Sequence, residues 1–180
     1  MESSPLKEFL ARQSLVFTAT ARWQRGVDLE IRTYISSEVP PAELVSSVRA
    51  IVFREDSVLT MTNLDGDHIL PGGRVEEGET HDEALRREVF EEAGVELAIM
   101  GRIGFMYLRH TSPKPEDYPY LYPDFIWPIW AASFVNSRPD LMVDDGYEVS
   151  FRFVPFQEVV ALNLDGHEAA FLEAALAMRK

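Results

Sequence analysis

No cysteine occurs among the 180 residues, which excludes both a disulfide framework and thiol chemistry. No stretch approaches the ~18 consecutive apolar residues that a membrane-spanning helix needs. The opening residues, MESSPLKEFLARQ, lack the basic start and apolar run of a signal peptide. Basic residues are few. Lys and Arg number 17 against 30 Asp and Glu, for a net charge of −13. That balance argues against non-specific binding to a nucleic-acid backbone. The four histidines are scattered, with no metal-ligand spacing. These absences predict a cytoplasmic protein that engages neither a membrane nor a nucleic-acid polymer.

An apolar fraction of 46% supports a sizeable core, and the length suits one domain with an added element. The chain is organised around Pro71 to Val95, PGGRVEEGETHDEALRREVFEEAGV. Thr80 followed three residues later by Glu83 is a capping-box pattern. Gly94 suits the left-handed position just past a helix end. Together they predict a helix from about His81 to Ala93. At 3.6 residues per turn, Glu88, Glu91 and Glu92 fall within one arc of roughly 100°. Ala84 and Leu85 lie on or beside that arc, and Val89 and Ala93 continue it. The acids therefore border the buried stripe.

Two readings of this acidic face stand side by side. An acid-rich helix is ordinarily a solvated face, and here Asp82–Arg86 and Glu83–Arg87 are favourable i,i+4 pairs. Against that, two carboxylates ~6 Å apart in a partly buried site repel by about 3 kcal/mol at an effective dielectric near 20. A cation relieves this, and hard divalent ions take carboxylate oxygens. The sharper reading is a metal site at Glu88, Glu91 and Glu92, with Glu79 reaching back from the loop as a fourth candidate.

The spacing Gly73, five residues, Glu79, seven residues, Arg87-Glu88-Val89, one residue, Glu91-Glu92, one residue, Gly94-Val95 resembles a complete Nudix box. Seven fixed residues of common types match by chance about once in 10⁸ starting positions. The resemblance covers these 23 positions directly and extends loosely over about residues 45–160. It implies an α+β chain with the Nudix fold, an α/β/α sandwich around a mixed curved sheet. It also implies a hydrolase using Mg²⁺ or Mn²⁺ to cleave the phosphoanhydride of a nucleoside diphosphate linked to another group. A bound metal supplies the local positive charge that an acidic protein needs toward phosphates. The absence of cysteine counts against a Nudix-like isopentenyl diphosphate isomerase.

Upstream of the box, Pro5 to Gln13 predicts a short helix with Leu6, Phe9 and Leu10 on one side. Leu15–Trp23 and Val27–Ile35 predict strands joined at Arg25-Gly26. This hairpin gives an organisation of residues 1–42 as an extension and 43–180 as the Nudix domain. It extends the sheet edge or serves a homodimer, as leading strands do in some Nudix enzymes that cleave ADP-ribose. Ser47–Phe53 and Ser57–Met61 follow as strands, and Asn63–His68 as a polar turn.

Beyond the box, Ala98–Arg109 contains a strand. His110 to Pro123 carries four prolines and three tyrosines and predicts a long ordered loop. Asp124–Phe134 predicts a strand interrupted by Pro128. Phe125, Trp127 and Trp130 read foremost as core. Tyr118, Tyr120 and Tyr122 are the better candidates for stacking on a base. Val143–Glu148 reads as an acidic turn and Val149–Pro155 as the last strand. Asn163–Lys180 closes the chain as a helix capped by Asp165, with Ala169, Leu172, Ala175 and Leu176 as its apolar stripe.

The resemblance assigns roles. The Gly73 carbonyl joins Glu88, Glu91 and Glu92 in the metal shell. Arg87 holds the carboxylates, and Arg74 either meets a phosphate or makes a surface salt bridge. The base is Glu79, Glu92 or Glu148, the last standing just before the final strand. The position about 15 residues past the box holds His110 where ADP-ribose enzymes carry a proline. The next holds Thr111 where dinucleoside polyphosphate enzymes carry a tyrosine. The leading hairpin favours a nucleotide-sugar or ADP-ribose substrate, with a nucleoside triphosphate close behind. The alternative of another class is a non-catalytic domain that senses a nucleotide.

Overall fold

The computed structural model describes residues 4–23, 26–118, 120–138 and 148–179. Helix α1 (Ser4–Ala11) leads into a hairpin of β1 (Ser14–Trp23) and β2 (Val27–Ile35), as the patterning predicts. β3 (Arg49–Arg54), β4 (Ser57–Asn63) and β5 (Gly66–His68) follow. The polar turn predicted at Asn63–His68 thus contains a short strand, because Asp65-Gly66 turns the chain tightly enough for Thr62 to pair with Asp67.

Helix α2 spans His81–Ala93, the residues predicted. Thr80 Oγ1 accepts from Glu83 N, and the Glu83 carboxylate accepts from Thr80 N, completing the capping box. Gly94 ends the helix with φ +60°, a conformation glycine adopts without steric cost. β6 (Val95–His110) starts at once, three residues before the predicted strand. β7 (Asp124–Ser137) runs through Pro128 without interruption. On its β3 side, Ser46 N bonds Ile126 O and the β3 ladder starts at Ile129, so the missing donor of Pro128 falls between them. β8 (Glu148–Pro155) is followed by a short turn of helix, α3 (Phe156–Val159), and by α4 (Gly166–Met178) capped by Asp165.

The described strands form one mixed sheet in the order β1-β2-β6-β7-β3-β4-β5, with β8 paired to β4. Only β3 and β7 run parallel among the named pairs. β2 pairs with β6 from Leu29↔His110 to Ile35↔Gly104, so the hairpin is built into the sheet. α1 seats Leu6, Phe9 and Leu10 against Tyr34, Phe105, Tyr107 and Ile126.

β3 shows why helices cover both faces. Ala50 and Val52 face the α2 residues Ala84, Leu85, Val89 and Ala93. Ile51 and Phe53 face the cluster that includes Phe171 and Ala175 of α4. The period of two along a strand makes this division. On α4 the inward residues are His167, Glu168, Phe171 and Ala175, while Ala169 is exposed. The predicted stripe holds at Ala175 and, in part, at Leu172 and Leu176, which pack against the core, but omits His167 and Glu168 because these two polar side chains are paired inside. His167 Nδ1 lies 2.5 Å from Thr33 Oγ1, and Glu168 Oε1 accepts from Ile69 N at 2.7 Å. The sheet with helices on both faces is the α+β arrangement expected. No described helix is long and apolar enough to cross a membrane.

Candidate active site

The loop after β5 lies along the start of β3. Ala50 N donates to Pro71 O at 3.1 Å, and Val48 N donates to Gly73 O at 2.8 Å. At Gly72, φ is +133° and a Cβ would overlap the Val48 carbonyl, so a side chain is barred there. At Gly73 a Cβ would overlap the Glu88 carboxylate. The loop backbone and the α2 carboxylates are therefore in direct contact. Gly72 N donates to Glu92 Oε2 at 2.8 Å.

What seats α2 is its apolar stripe. Ala84, Leu85, Val89 and Ala93 are all 0% exposed. Burying Leu85 alone contributes about 1.5–3 kcal/mol. The acids border this stripe as the helical arc predicts, so Glu88 is half-buried with 16% of its side chain exposed.

Arg87 is the hub. Its Nε donates to Glu79 Oε1 at 2.7 Å and its Nη2 to Glu79 Oε2 at 2.9 Å. Nη1 donates to Glu88 Oε1 at 2.9 Å and to Glu91 Oε2 at 3.1 Å. Nη2 also reaches the Arg74 carbonyl at 2.9 Å. The expected pair with Glu83 gives way to this set, because Glu83 closes the capping box.

The environments of the acids differ. Hydrogen bonds from Arg87, then one from Glu76 N, bring the Glu79 carboxyl down to about 2. A group so well paired is a weak base at neutral pH. Burial pushes the Glu88 carboxyl up, against the pull of Arg87 and Arg49. The same acidic partners, Glu79 foremost, raise the Arg87 guanidinium further above its ordinary range.

Beside the carboxylates stand two arginines on aromatic rings. Arg74 lies over Tyr120 at 4.6 Å and donates to its hydroxyl at 2.7 Å. Arg49 lies over Trp127 at 4.6 Å and donates to the Leu70 carbonyl at 2.9 Å. Trp127 Nε1 donates to Ser46 Oγ at 3.0 Å. Of the three loop tyrosines, the structure brings Tyr120 to the box. Tyr118 is 7% exposed and its hydroxyl pairs with His110 Nε2 at 2.7 Å. Tyr122 packs on the His110 ring at 4.9 Å, and its hydroxyl donates to the Ser112 carbonyl. Phe125 and Trp130 are buried, as the core reading expects, whereas Trp127 is only partly so.

Arg49 escapes the sequence reading. A single arginine at the head of an apolar strand is its only signal. Glu148 begins β8 opposite Asn63, while its side chain and the turn 143–147 lie outside the described residues.

Among the described residues, no three carboxylate or histidine side chains already converge as a cation cage. Arg87 occupies the middle of the acidic group. The donors nonetheless fit a hard divalent ion. Glu88, Glu91 and Glu92 offer carboxylate oxygens along one helix edge, and Glu88 is desolvated, which a cation compensates. The missing Cβ at Gly73 leaves room for the Glu88 carboxylate against the loop backbone.

A NUDIX domain model matches residues 43–175. A protein of Bacillus subtilis (strain 168), named as a candidate 8-oxo-dGTP diphosphatase, is 45% identical over 53 residues. That match spans 29% of this chain and 33% of the relative, so it covers about a third of the relative's length. A solved variant of the Bacillus subtilis pyrophosphohydrolase BsRppH superposes with a TM-score of 0.60 at 16% identity. The alignment covers 88% of this chain and 96% of that one. A NUDIX hydrolase from Nitrosomonas europaea gives a TM-score of 0.53 at 18% identity, over 74% and 89% of the two chains. These two share the fold. With the family model spanning most of the chain and the box intact on α2, the protein belongs to the Nudix family.

Proposed function

We propose that the protein is a divalent-metal-dependent pyrophosphohydrolase acting on a nucleoside diphosphate linked to another group. The observation that carries this is the box geometry: Glu79, Glu88 and Glu91 gathered by Arg87, and Glu92 held by Gly72 N, against the Gly72-Gly73 backbone. Glu88, Glu91 and Glu92, with the Gly73 carbonyl, would hold Mg²⁺ or Mn²⁺. When bound, such an ion polarises phosphoryl oxygens and lowers the pKa of a coordinated water.

The chain's own residues supply position and charge, which dominate phosphoryl transfer. Arg87 orients Glu88 and Glu91 through one nitrogen and locks Glu79 through the other two. Glu79 acts as a positioning residue, since its paired carboxylate is a weak proton acceptor. Glu92 and Glu148 remain the candidates for the base. Arg74 lies beside the acidic group and, released from Tyr120, would meet a substrate phosphate. A nucleotide-sugar or ADP-ribose substrate is favoured by the leading hairpin, with a nucleoside triphosphate next. An edge of β1 that exposes Leu15 and Val16 at 52% and 48% supports a homodimer through the hairpin.

The test is product identification over a panel of nucleotide sugars, ADP-ribose, dinucleoside polyphosphates and nucleoside triphosphates, with Mg²⁺, with Mn²⁺ and with EDTA. One class turning over only with metal bears the proposal out and names the substrate. A panel with no turnover, in which a nucleotide still raises the melting temperature, points to a sensing domain instead.

A further inference from the structure

Trp23 is the last residue of β1, in the hairpin that precedes the matched family region. The hairpin pairs with β6, and β6 with β7, which carries Trp23 to the aromatic end of the site. Its ring centroid lies 5.5 Å from Trp127, 5.7 Å from Phe125 and 6.1 Å from Tyr120. Trp23, Tyr120 and Trp127 are each only partly buried, at the margin of the core.

Two of these rings carry the arginines next to the box. Tyr120 holds Arg74, whose carbonyl accepts from Arg87. Trp127 holds Arg49, which donates to the Leu70 carbonyl at the head of the Pro71-Gly72-Gly73 loop. Running outward from the carboxylates, the surface is thus acidic, then cationic, then aromatic. A nucleotide has the matching order of metal-bound phosphate, charged phosphate and planar base.

We infer that Trp23, from the N-terminal hairpin, completes an aromatic platform with Tyr120 and Trp127 that stacks on the planar base of the substrate. This rests on the hydrolase reading for the substrate's phosphates and goes beyond it in assigning the base end. Stacking is tolerant of sequence because every base offers a π-face. Trp23 is accordingly a specificity residue for an aromatic base as against a base-free phosphate ester. It is remote from the reacting bond, so it acts on substrate affinity.

The experiment uses the full chain in EDTA, titrated by calorimetry with AMP, GMP and UMP, and with ribose 5-phosphate as the base-free control. Trp23→Phe and Trp23→Leu are compared with the parent, each checked by its melting temperature. The platform predicts that a nucleotide binds the parent and Trp23→Phe more tightly than ribose 5-phosphate does. Trp23→Leu, which keeps apolar packing without a π-face, should bind that nucleotide about tenfold more weakly.

Equal affinity in Trp23→Leu and the parent would overturn the inference, as would a parent that binds ribose 5-phosphate as tightly as every nucleotide. Should the leucine variant not fold, ¹⁹F NMR of 5-fluorotryptophan protein decides, with Trp23 assigned from the Trp23→Phe spectrum. Its resonance should shift with nucleotide and stay still with ribose 5-phosphate, and no shift with any nucleotide refutes the platform. None of these readouts needs turnover, so failure here and failure of the hydrolase reading are separately visible.

Discussion

Arg87 grips Glu79 with two N–H···O bonds of 2.7 and 2.9 Å, while its remaining nitrogen spans Glu88 and Glu91. One guanidinium thereby fixes a loop acid and two helix acids at once. Lysine offers a point charge in place of this planar fork. Arg87→Lys is expected to lower metal-dependent activity by roughly ten- to a hundredfold, the usual loss when a group supporting metal ligands is altered. The melting temperature should change little. Steady-state kinetics over a Mg²⁺ series, beside a thermal melt, checks it.

Gly73 carries a prediction of another kind. A Cβ there would overlap the Glu88 carboxylate, so Gly73→Ala must push that side chain aside. The Mg²⁺ concentration for half-maximal activity should rise, and Mn²⁺ binding followed by electron paramagnetic resonance should weaken in step. Unchanged Mn²⁺ affinity in a folded variant would contradict the placement of Glu88 in the metal shell.

The capping box of α2 is expected to matter for stability. Thr80→Ala leaves Glu83 N without its side-chain acceptor. Losing such a cap costs about 0.5–2 kcal/mol. For a chain of this length each kcal/mol shifts the melting temperature by about 2–4 °C. Calorimetry reads the shift directly, and no shift would mean that the helix is held by its apolar stripe alone.

His167 makes stability depend on pH. Burial, chiefly, pulls its imidazole below the ordinary value of 6.5, and it sits against Thr33 and the edge of Phe17. Below 6.5 the unfolded chain takes up a proton on this residue before the folded one does. Stability is therefore full above 6.5 and falls as pH drops toward the lower folded value. His81, lowered by burial as well, adds to the same slope. Urea midpoints between neutral and mildly acid pH should fall less steeply in His167→Gln than in the parent. Equal slopes would contradict the assignment.

The parts of the site that lie close in sequence are legible from it. Thr80, Glu83 and Gly94 mark both ends of α2 by local hydrogen-bonding chemistry, and helical periodicity puts Glu88, Glu91 and Glu92 beside the buried stripe. What sequence does not reveal comes from strands distant along the chain. Arg49 and Trp127 meet because β3 lies beside β7, and Trp23 joins them through β2 and β6. Tyr118, Tyr120 and Tyr122 look alike in a Pro-rich loop. Their separation depends on His110, whose ring takes up Tyr118 and leaves Tyr120 to Arg74. The inward face of α4 is hidden for a similar reason, since Thr33 and Ile69 supply partners from other elements.

Mg²⁺-dependent turnover of Glu92→Gln beside the parent, on whichever nucleotide derivative the parent cleaves, decides whether the box carboxylates carry the chemistry. The substitution keeps the side chain's size and an oxygen for Gly72 N while removing the negative charge. A folded variant with almost no metal-dependent activity is the expected result. A folded Glu92→Gln with near-normal turnover would contradict it.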